Sequence, residues 1–530
     1  MPACPAGPVA VADVAIIGGG LAGLTLALQL RSLDDSLDIA VLERNNWPMP
    51  DAAHKVGEST VEIGAHYLAD TIGAAKLLQD TQLRKFGLRF FFGSGNHDDL
   101  ARADELGASR LLAVPGYQID RGRLENDLAA RAVAQDVRLL PGAVVRKVEL
   151  AEGGGKNRIF FEHGGGSAQL ECTWVVDAAS RASVLKRQMK LNRESTHRVS
   201  AAWFRLDHPV QVDDWSGDTS WKGRCLELNR RHSTNHLMGS GYWVWIIPLR
   251  EDRTSIGIVA DSAMHPAGDY NSFDKSLRWL EEKQPVCHER LRPHAGSLMD
   301  FRMLRNFAND CGQLWSPKGW ALSGEAGVFA DPFYSPGTDF IAISNTFIAD
   351  LITRKRTPAQ LQFESMVFEK IYRSFLSSTM SLYRDLYPGF GDARLMALKS
   401  TWDFAYYWSV LALLFFRGCM TDLPTVKRLE PVLTRLQQLN LSVQGAFRKR
   451  AGQRLASPGE GRFFDQCRIP VLVRLNRNLV EPQGSVDREL ASNAQTLEGL
   501  APALLELLDG KQAGRSYPTD ELGDLRQRLG

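Results

Sequence analysis

Near the start of the chain, the hydrophobic positions form three segments separated by short turns, and their patterns predict a strand, a helix and a second strand. Val11 to Ile17 is rich in β-branched residues and predicts a buried strand, whereas Ala22 to Arg31 is rich in Leu and Ala and predicts a helix. Asp38 to Leu42 predicts the next strand. A βαβ unit of this kind indicates a parallel sheet with a helix packed on its face.

The middle of the chain has a different pattern, which indicates antiparallel strands with few helices between them. A glycine-flanked segment, GGGKNRIFFEHGGGSAQLE, predicts a hairpin and leads into a strand that ends at Asp177. Helices are predicted at Leu124 to Ala134 and near Ser272 to Lys283. Further strands are predicted at Val199 to Leu206, Tyr242 to Pro248, Ser255 to Ala260 and Gly319 to Ser323. After about residue 360 almost the whole chain is predicted to be helical.

These patterns predict an α/β (α+β) fold with a Rossmann-like nucleotide-binding domain that is discontinuous in sequence. We expect residues 1–190 and 300–360 to form that domain, because the βαβ unit and the later strand–glycine–helix segment belong to one type of sheet. Residues 191–299 are expected to form an inserted β-sheet domain for the substrate, and residues 361–530 a helical C-terminal region.

Composition argues against several classes of partner and against a resident metal. The chain has 530 residues, of which 63 are Lys or Arg and 61 are Asp or Glu, so no long-range charge attracts nucleic acid or anionic lipid. Its seven cysteines lie far apart and include no CxxC pair, which argues against a zinc site or a disulfide framework. We therefore expect reduced thiols, a cytoplasmic location and no resident metal.

Two apolar segments bear on membrane association. The N-terminal stretch lacks a basic region and continues directly into a glycine-rich turn, so we interpret it as a first strand and not as a signal peptide. Trp408 to Phe416 is too short to cross a bilayer, although such a run is able to touch a membrane surface or a hydrophobic partner. No transmembrane anchor is expected.

The first chemical motif is a glycine-rich turn between the first strand and its helix. In GGGLAG, Gly18 permits the tight turn, Gly20 lets a pyrophosphate approach the backbone, and Gly23 lets helix and strand pack closely. The phosphates then lie at the helix N-terminus. Glu43 ends the second strand, where a carboxylate accepts the ribose hydroxyls. Arg44 beside it would favour a 2′-phosphate, but the acid favours a plain adenosine ribose. The motif predicts a bound dinucleotide.

Two later motifs identify the expected dinucleotide as FAD. WVVDAASR, which contains Asp177, and WALSGEAGVFADP, which contains Glu325 and Asp331, resemble the second and third flavin fingerprints of the aromatic-hydroxylase class. The resemblance implies a Glu325 carboxylate on the flavin ribitol, where that class usually has Asp, with Asp177 and Asp331 as further cofactor-binding residues. It also implies that Arg123, in YQIDRGRLENDL, lies near the flavin phosphates.

A second set of motifs resembles the flavin-dependent halogenases. WVWIIP matches the WxWxIP signature of that family, and Trp243 and Trp245 are two residues apart, so both indoles leave a strand on the same face. Such a pair forms a wall between an aromatic substrate and the flavin; the alternative is a strand with two core tryptophans. HKVGES, His54 to Ser59, followed by KFGLRF, resembles the segment that carries the family's catalytic lysine, which corresponds to Lys85. Taken alone, a lysine is more often solvated.

The third motif of this set, FADPFYSPGTDF, resembles the FxxPxxSxG halide loop. The resemblance implies halide binding at Ser335, Gly337 and Thr338. Pro336 departs from the pattern, because proline has no N–H to donate, which leaves the N–H groups of Gly337 and Thr338 as a two-donor nest. Tyr334 stands where tryptophan halogenases carry a Glu, which favours phenol or pyrrole substrates that are activated by their own heteroatom.

The resemblance therefore implies an enzyme that replaces an aromatic C–H by C–Cl or C–Br, through hypohalous acid formed from FAD hydroperoxide and chloride or bromide. Reduced FAD is expected from a separate flavin reductase, because the sequence contains no second nucleotide-binding βαβ unit. The phenol or pyrrole is expected to be free or tethered to an acyl carrier protein. Two alternatives stay open: an FAD monooxygenase or dehydrogenase with a degraded halide loop, and a flavin-binding protein without catalysis.

Overall fold

The computed structural model describes residues 10–50, 57–151, 155–453, 459–511 and 519–529. Cys4 and the His54 to Val56 part of the HKVGES motif lie outside these ranges. Contacts divide the chain into two compact units. The first unit contains Met1–Gln82, Ile119–Thr196 and Ala308–Leu376, and the second contains Leu83–Gln118, His197–Phe307 and Ser377–Gly530.

The strands of the described residues, numbered in chain order, have the following bounds. They are β1 (Ala10–Ile17), β2 (Ile39–Glu43), β3 (Leu83–Lys85), β4 (Leu88–Phe92), β5 (Asp104–Gly107), β6 (Gly116–Gln118), β7 (Arg138–Pro141), β8 (Val144–Glu149), β9 (Asn157–His163), β10 (Gly166–Asp177), β11 (Asn192–Glu194), β12 (Val199–Leu206), β13 (Thr234–Gly239), β14 (Tyr242–Pro248), β15 (Thr254–Asp261), β16 (Leu298–Leu304), β17 (Asn309–Cys311), β18 (Trp315–Ser316), β19 (Trp320–Leu322) and β20 (Phe463–Asp465).

The α-helices of the described residues are numbered in the same way. They are α1 (Leu21–Leu33), α2 (Glu62–His66), α3 (Ala75–Thr81), α4 (Arg121–Ala134), α5 (Val184–Gln188), α6 (Thr219–Lys222), α7 (Phe273–Lys283), α8 (Pro285–Leu291), α9 (Gly337–Thr353), α10 (Pro358–Ser381), α11 (Ala393–Tyr406), α12 (Leu413–Phe416), α13 (Leu423–Ala451), α14 (Pro470–Val480), α15 (Val486–Leu508) and α16 (Asp524–Leu529). The predicted α/β (α+β) fold class is confirmed.

The first unit is built on the parallel sheet that the opening of the sequence predicts. Its strand order is β18-β19-β10-β1-β2-β7, with parallel pairing from β19 to β7 and with β8 and β9 joined to β10 on the same sheet. The predicted hairpin is formed by β9 and β10, which pair antiparallel around Gly164 and Gly165, both at positive φ. The carboxyl ends of β1, β2 and β10 therefore lie side by side, as a nucleotide-binding sheet requires.

The second unit contains a larger and more mixed sheet than the antiparallel one that we expected. Its order is β16-β12-β15-β14-β13-β4-β5-β20, and the pairs β13–β4 and β20–β5 are parallel. Residues 83–118 were expected in the nucleotide-binding domain, but their strands β4 and β5 extend this sheet. The C-terminal helices cluster with the same unit, and β20, which lies among them in sequence, closes its edge. Neither pairing has a local sequence signal, because the partners are far apart in the chain.

The apolar run at Trp408 to Phe416 forms a π-helical turn, Tyr407–Ala412, followed by α12. Most of its side chains are buried, Trp408 and Leu413 among them, so this run packs mainly inside the second unit. Among the described residues, no helix combines the length and the hydropathy that crossing a bilayer requires.

A buried cluster of charges lies in the second unit, between the sheet and the segment before β13. Glu105 and the guanidinium groups of Arg89 and Arg230 are fully buried, and Arg224 is largely so. Arg230 Nε lies 2.9 Å from Glu105 Oε1, and Arg224 Nη1 lies 3.1 Å from Glu105 Oε2. Burial alone would raise the pKa of Glu105, but the nearby arginines outweigh burial and lower this pKa from 4.5 to about 2.

We predict that Glu105→Gln lowers the free energy of unfolding at pH 7 by about 3–5 kcal/mol, because it removes the counter-charge that Glu105 supplies to the buried guanidinium groups of Arg89 and Arg230. A carboxyl with a depressed folded pKa stabilises fully above its unfolded pKa. Its contribution is lost as pH falls from 4.5 toward about 2, so the difference between variant and wild type should shrink over that range. Chemical denaturation at several pH values measures this. Glu162→Gln, at a surface carboxylate 54% exposed, is the control and should change little; equal effects of the two variants would contradict the prediction.

Candidate active site

The glycine turn after β1 has the geometry that its motif predicts. Gly18 has φ +104°, and a Cβ there would lie 2.7 Å from the carbonyl oxygen of Ala178. A Cβ on Gly23 would lie 2.0 Å from the carbonyl oxygen of Gly18, so the helix approaches the turn more closely than any side chain permits. Gly20 is the N-cap of α1 and is partly exposed. The turn thus presents backbone, free of side chains, at a helix N-terminus.

The carboxylate of Glu43 lies beside this turn at the end of β2. Its Oε2 accepts a hydrogen bond from the Gly19 N–H at 2.7 Å, and its Oε1 accepts from the backbone N–H of Asn45 at 2.9 Å. Oε1 also accepts from Asn45 Nδ2 at 2.7 Å, so both of its lone pairs are engaged, whereas Oε2 has a second lone pair that is able to accept a ribose hydroxyl. The neighbouring Arg44 is exposed. The position of Glu43 fits the ribose-binding role that we predict for it.

Sequence reasoning missed an ion pair that reaches the start of α1. Glu125 Oε1 accepts from the Leu21 N–H at 3.1 Å and lies 2.7 Å from Arg121 Nη2. Arg123 is on the same first turn of α4, and its charge acts on Asp127. The available signal was the i,i+4 spacing of Arg121 and Glu125, which places these two side chains on one helix face. Glu125 therefore contacts the start of α1 and Arg121 neutralises its charge, while the role of Arg123 stays a prediction.

The carboxylate of Asp177 accepts hydrogen bonds from the loop that follows it. It is fully buried, its Oδ1 accepts from the Ala179 N–H at 3.0 Å, and its Oδ2 accepts from the Leu185 N–H at 2.8 Å. Burial raises the pKa of Asp177 from 3.8 to about 6, although those two hydrogen bonds lower it. Both oxygens are thus engaged with backbone, so Asp177 shapes the loop that follows β10.

The loop after β10 holds the third fingerprint in place. Ser180 Oγ donates to Glu325 Oε2, and Lys186 Nζ donates to the Gly327 carbonyl at 2.6 Å. Glu325 Oε1 is buried and has no hydrogen-bond partner among the described residues. Asp331 is buried and accepts from the Phe333 N–H at 2.9 Å. A carboxylate oxygen that lacks a donor fits a ligand rich in hydroxyl groups, such as a flavin ribitol.

The loop that carries the predicted halide residues has two consecutive residues in the left-handed region. Tyr334 has φ +66° and Ser335 has φ +57°. The Ser335 N–H already donates to the Pro332 carbonyl at 2.8 Å, and Pro336 is the N-cap of α9. Neither Ser335 nor Pro336 therefore has a backbone donor to offer an anion.

Two donors remain at this helix start. The N–H groups of Gly337 and Thr338 open α9 and have no hydrogen-bond partner among the described residues. A Cβ on Gly337 would meet no atom within 4 Å, so there is open space beside the first turn. Unpaired N–H groups at a helix N-terminus are able to bind an anion.

Lys85 and the two signature tryptophans lie in the second unit. Lys85 ends β3 and is only 4% exposed. Trp243 and Trp245 leave β14 on the same face, as predicted, with ring centroids 5.8 Å apart, and both are buried. Trp243 Nε1 donates to Tyr387 Oη at 3.1 Å, and Trp245 Nε1 donates to Ser255 Oγ at 3.2 Å. Each indole is thereby fixed in orientation.

Two further rings complete this surface. His236 on β13 lies 4.6 Å from Phe90 and 5.2 Å from Trp243, measured between ring centroids. We call Phe90, His236, Trp243 and Trp245 the aromatic face. Sequence reasoning missed His236, because a single histidine in a strand gives no signal until its neighbouring strands are known.

Comparison with known proteins identifies the class. Residues 11–267 match the family model described as an FAD binding domain. This chain is an FAD-dependent oxidoreductase.

Its relatives define the family more narrowly. The flavin-dependent halogenase chlA of Dictyostelium discoideum is 26% identical over 75% of this chain and 70% of its own length. The 1H-pyrrole-2-carbonyl-(peptidyl-carrier protein) chlorinase of Pseudomonas fluorescens is 23% identical over 64% of this chain and 74% of its own. The halogenase PltM, solved with phloroglucinol and FAD, has the same fold, with a TM-score of 0.64, 16% identity and coverage of 96% and 99%. In sequence and in fold, the chain is thus similar to flavin-dependent halogenases.

We predict that Glu43→Gln weakens FAD binding by about 10-fold or more, since a neutral amide accepts the ribose hydroxyls less strongly and sets its own donor beside the Gly19 N–H. Titration of the apoprotein with FAD, followed by flavin fluorescence, measures the dissociation constant. Glu171→Gln, on β10 of the same sheet and paired with Arg158 at the surface, is the matched control. Equal affinity of the Glu43 variant and this control would remove Glu43 from the cofactor site.

Proposed function

We propose that this chain replaces an aromatic C–H by C–Cl or C–Br on an electron-rich phenol or pyrrole. The observation that carries the proposal is the burial of Lys85, in the unit that also buries the paired indoles. When bound and reduced, FAD supplies, together with oxygen, the oxidising equivalents that convert halide into hypohalous acid. The chain's own residues bind the halide, separate the reactants and present the oxidant to the ring.

Lys85 is proposed to hold hypohalous acid against the substrate. Its ammonium hydrogen-bonds the oxygen of the acid, which makes hydroxide a better leaving group from the halogen. The ring carbon then forms its bond to the halogen as the halogen–oxygen bond breaks, and the ring proton leaves with that oxygen as water. A lysine suits this task because its charge is compact and its three donors rotate. Burial at 4% exposure supports the role, since a solvated ammonium would already be occupied by water.

Trp243 and Trp245 are proposed to keep the aromatic substrate away from the flavin. Their burial and fixed Nε1–H hydrogen bonds support this role, because a wall excludes a ring only if it does not move. Their alternative role, as structural core, is served by the opposite face of β14.

The halide is proposed to bind the N–H groups of Gly337 and Thr338, with Ser335 shaping the loop ahead of them. The open space beside Gly337 and the unpaired donors at the start of α9 support this assignment. Glu43, Glu325 and the glycine turn are proposed to hold FAD, with Asp177, Asp331 and Arg123 in the surrounding loops.

The phenol or pyrrole class rests on two arguments. Tyr334 precedes Ser335, so the position before the serine has no carboxylate to assist proton removal from an unactivated ring. Relatives include a pyrrole-carbonyl carrier-protein chlorinase and a corresponding brominase from Pseudoalteromonas luteoviolacea, each 23% identical. We propose a ring that is activated by its own heteroatom, free or tethered to a carrier protein.

A separate flavin reductase is proposed as a partner. Within the described ranges, the parallel sheet of the first unit offers one glycine turn of the dinucleotide type, and FAD occupies that type of site. A nicotinamide donor would need a second such site.

The direct test combines the purified protein with FAD, NADH and a flavin reductase. Chloride or bromide is added with phenols and pyrroles, both free and bound to a carrier protein, and products are followed by mass spectrometry. Replacement of hydrogen by halogen, with the matching isotope pattern, supports the proposal. Addition of oxygen would identify a monooxygenase on this scaffold, and flavin reoxidation without any organic product would identify a non-catalytic flavoprotein; either would overturn it.

We predict that Lys85→Ala abolishes halogenation, at least about 100-fold in rate, while FAD binding stays as in the wild type. Lys76→Ala is the control, since Lys76 is 88% exposed, and it should retain full activity. Product formation under saturating halide and flavin fluorescence are both measured. Turnover by the Lys85 variant at the rate of the control would exclude Lys85 from the reaction.

We predict that Gly337→Pro raises the halide concentration needed for half-maximal rate by about 10-fold or more, because it deletes one N–H donor to an anion. Proline is tolerated in the first turn of a helix but disfavours the helical conformation of Pro336, so FAD affinity and the circular dichroism spectrum are compared with those of the control to show that α9 is preserved. Gly337→Ala adds a methyl group to open space and keeps the N–H, so it is the matched control. An unchanged halide dependence in the proline variant would place the halide elsewhere.

A further inference from the structure

His236 is the one titratable side chain of the aromatic face, and its ring is held on three sides. Phe90 stacks on it with an interplanar angle of 25°, and Trp243 packs at 41°. Its Nδ1 lies 3.1 Å from the carbonyl oxygen of Arg89. That carbonyl is itself rigid, because the Arg89 guanidinium is tied to Glu105 and Ser233 in the buried charge cluster.

The partner of Nδ1 fixes the tautomer. A carbonyl oxygen only accepts, so Nδ1 carries the proton and donates it to Arg89. Burial lowers the pKa of His236 from 6.5 to about 3, and the positive charge of Lys85 lowers it too, against the opposing effect of the Arg89 and Thr234 carbonyls. The imidazole is therefore neutral at working pH with Nε2 unprotonated, and the charge of Lys85 acts on this ring.

We infer that His236 is a positioning residue for Lys85, with the Nε2 lone pair accepting a hydrogen bond from the lysine Nζ. A four-carbon side chain has many rotamers, and an oxidant is presented to one ring carbon only if the ammonium stays in place. The stacked imidazole supplies that fixed acceptor without adding a competing charge. This inference rests on the proposed function of Lys85 and deepens it, because the lysine would depend on a second residue for its orientation.

Two amide variants distinguish the role of Nδ1 from the role of Nε2. Glutamine places its amide oxygen at the distance of Nε2 from Cα, whereas asparagine reaches only the position of Nδ1. We expect His236→Gln to keep aromatic halogenation within about 3-fold of the wild type, and His236→Asn to lose about 10- to 100-fold, the range for a lost hydrogen bond to a charged group. His236→Phe, which keeps the stacking and lacks any acceptor, should behave like the asparagine variant.

The readout distinguishes positioning from folding. FAD affinity and the trapping of free hypohalous acid by monochlorodimedone should be unchanged in the asparagine and phenylalanine variants, while ring halogenation falls. Full activity of His236→Phe, or equal loss in His236→Gln and His236→Asn, would overturn the inference.

A second measurement needs no turnover. In the native holoprotein labelled with ¹⁵N-histidine, the His236 signals, assigned by their absence from His236→Gln, should show Nδ1 protonated and Nε2 unprotonated. Lys85→Met should shift the Nε2 signal and leave the Nδ1 signal in place. A protonated Nε2, or one insensitive to Lys85→Met, would overturn the inference even if halogenation is observed; absence of halogenation by the wild type would instead count against the proposed function alone.

Discussion

The two-residue alternation of side chains along β14 is the constraint on which the second unit depends. Trp243 and Trp245 leave the strand on one face, and Val244 and Ile246 leave it on the other. The latter pair enters a core that includes Phe91, so the packing that stabilises the sheet also fixes the direction of the indoles. A shift of register by one residue would exchange the two faces, so the indoles cannot change face unless Val244 and Ile246 also leave the core.

Features that depend on a local pattern were predictable from the sequence, whereas features that depend on contacts between distant segments were not. β12 and β14 have the predicted bounds, because their patterns are local. Gly18 and Gly23 were predictable for the same reason, since a positive φ and a close approach are demands of the turn itself. His236 acquires its environment only when β13 pairs in parallel with β4, a contact between distant segments. No local pattern encodes such a pairing.

Electrostatic balance in the first unit shows a similar dependence on distant contacts. The start of α1 is suited to phosphate, yet a carboxylate, Glu125, already accepts from Leu21 there. Arg121 offsets that charge, so an incoming pyrophosphate meets a pair and not a lone anion. The motif around Arg123 indicated an arginine near the phosphates, and this stays a prediction; the helical spacing adds a second arginine, Arg121, which is paired with Glu125.

The loop before α9 offers few backbone N–H donors to an anion. Ser335 uses its N–H on Pro332, and Pro336 has none, so the backbone leaves Gly337 and Thr338. Two N–H groups replace only part of a halide's hydration shell, so under the proposed function the helix dipole must supply the remaining attraction. Weak retention is compatible with chemistry in which the halide is consumed, because an anion held too tightly would be a poor nucleophile. The left-handed conformations of Tyr334 and Ser335 turn the chain directly before α9, and the space beside the Cα of Gly337 is open.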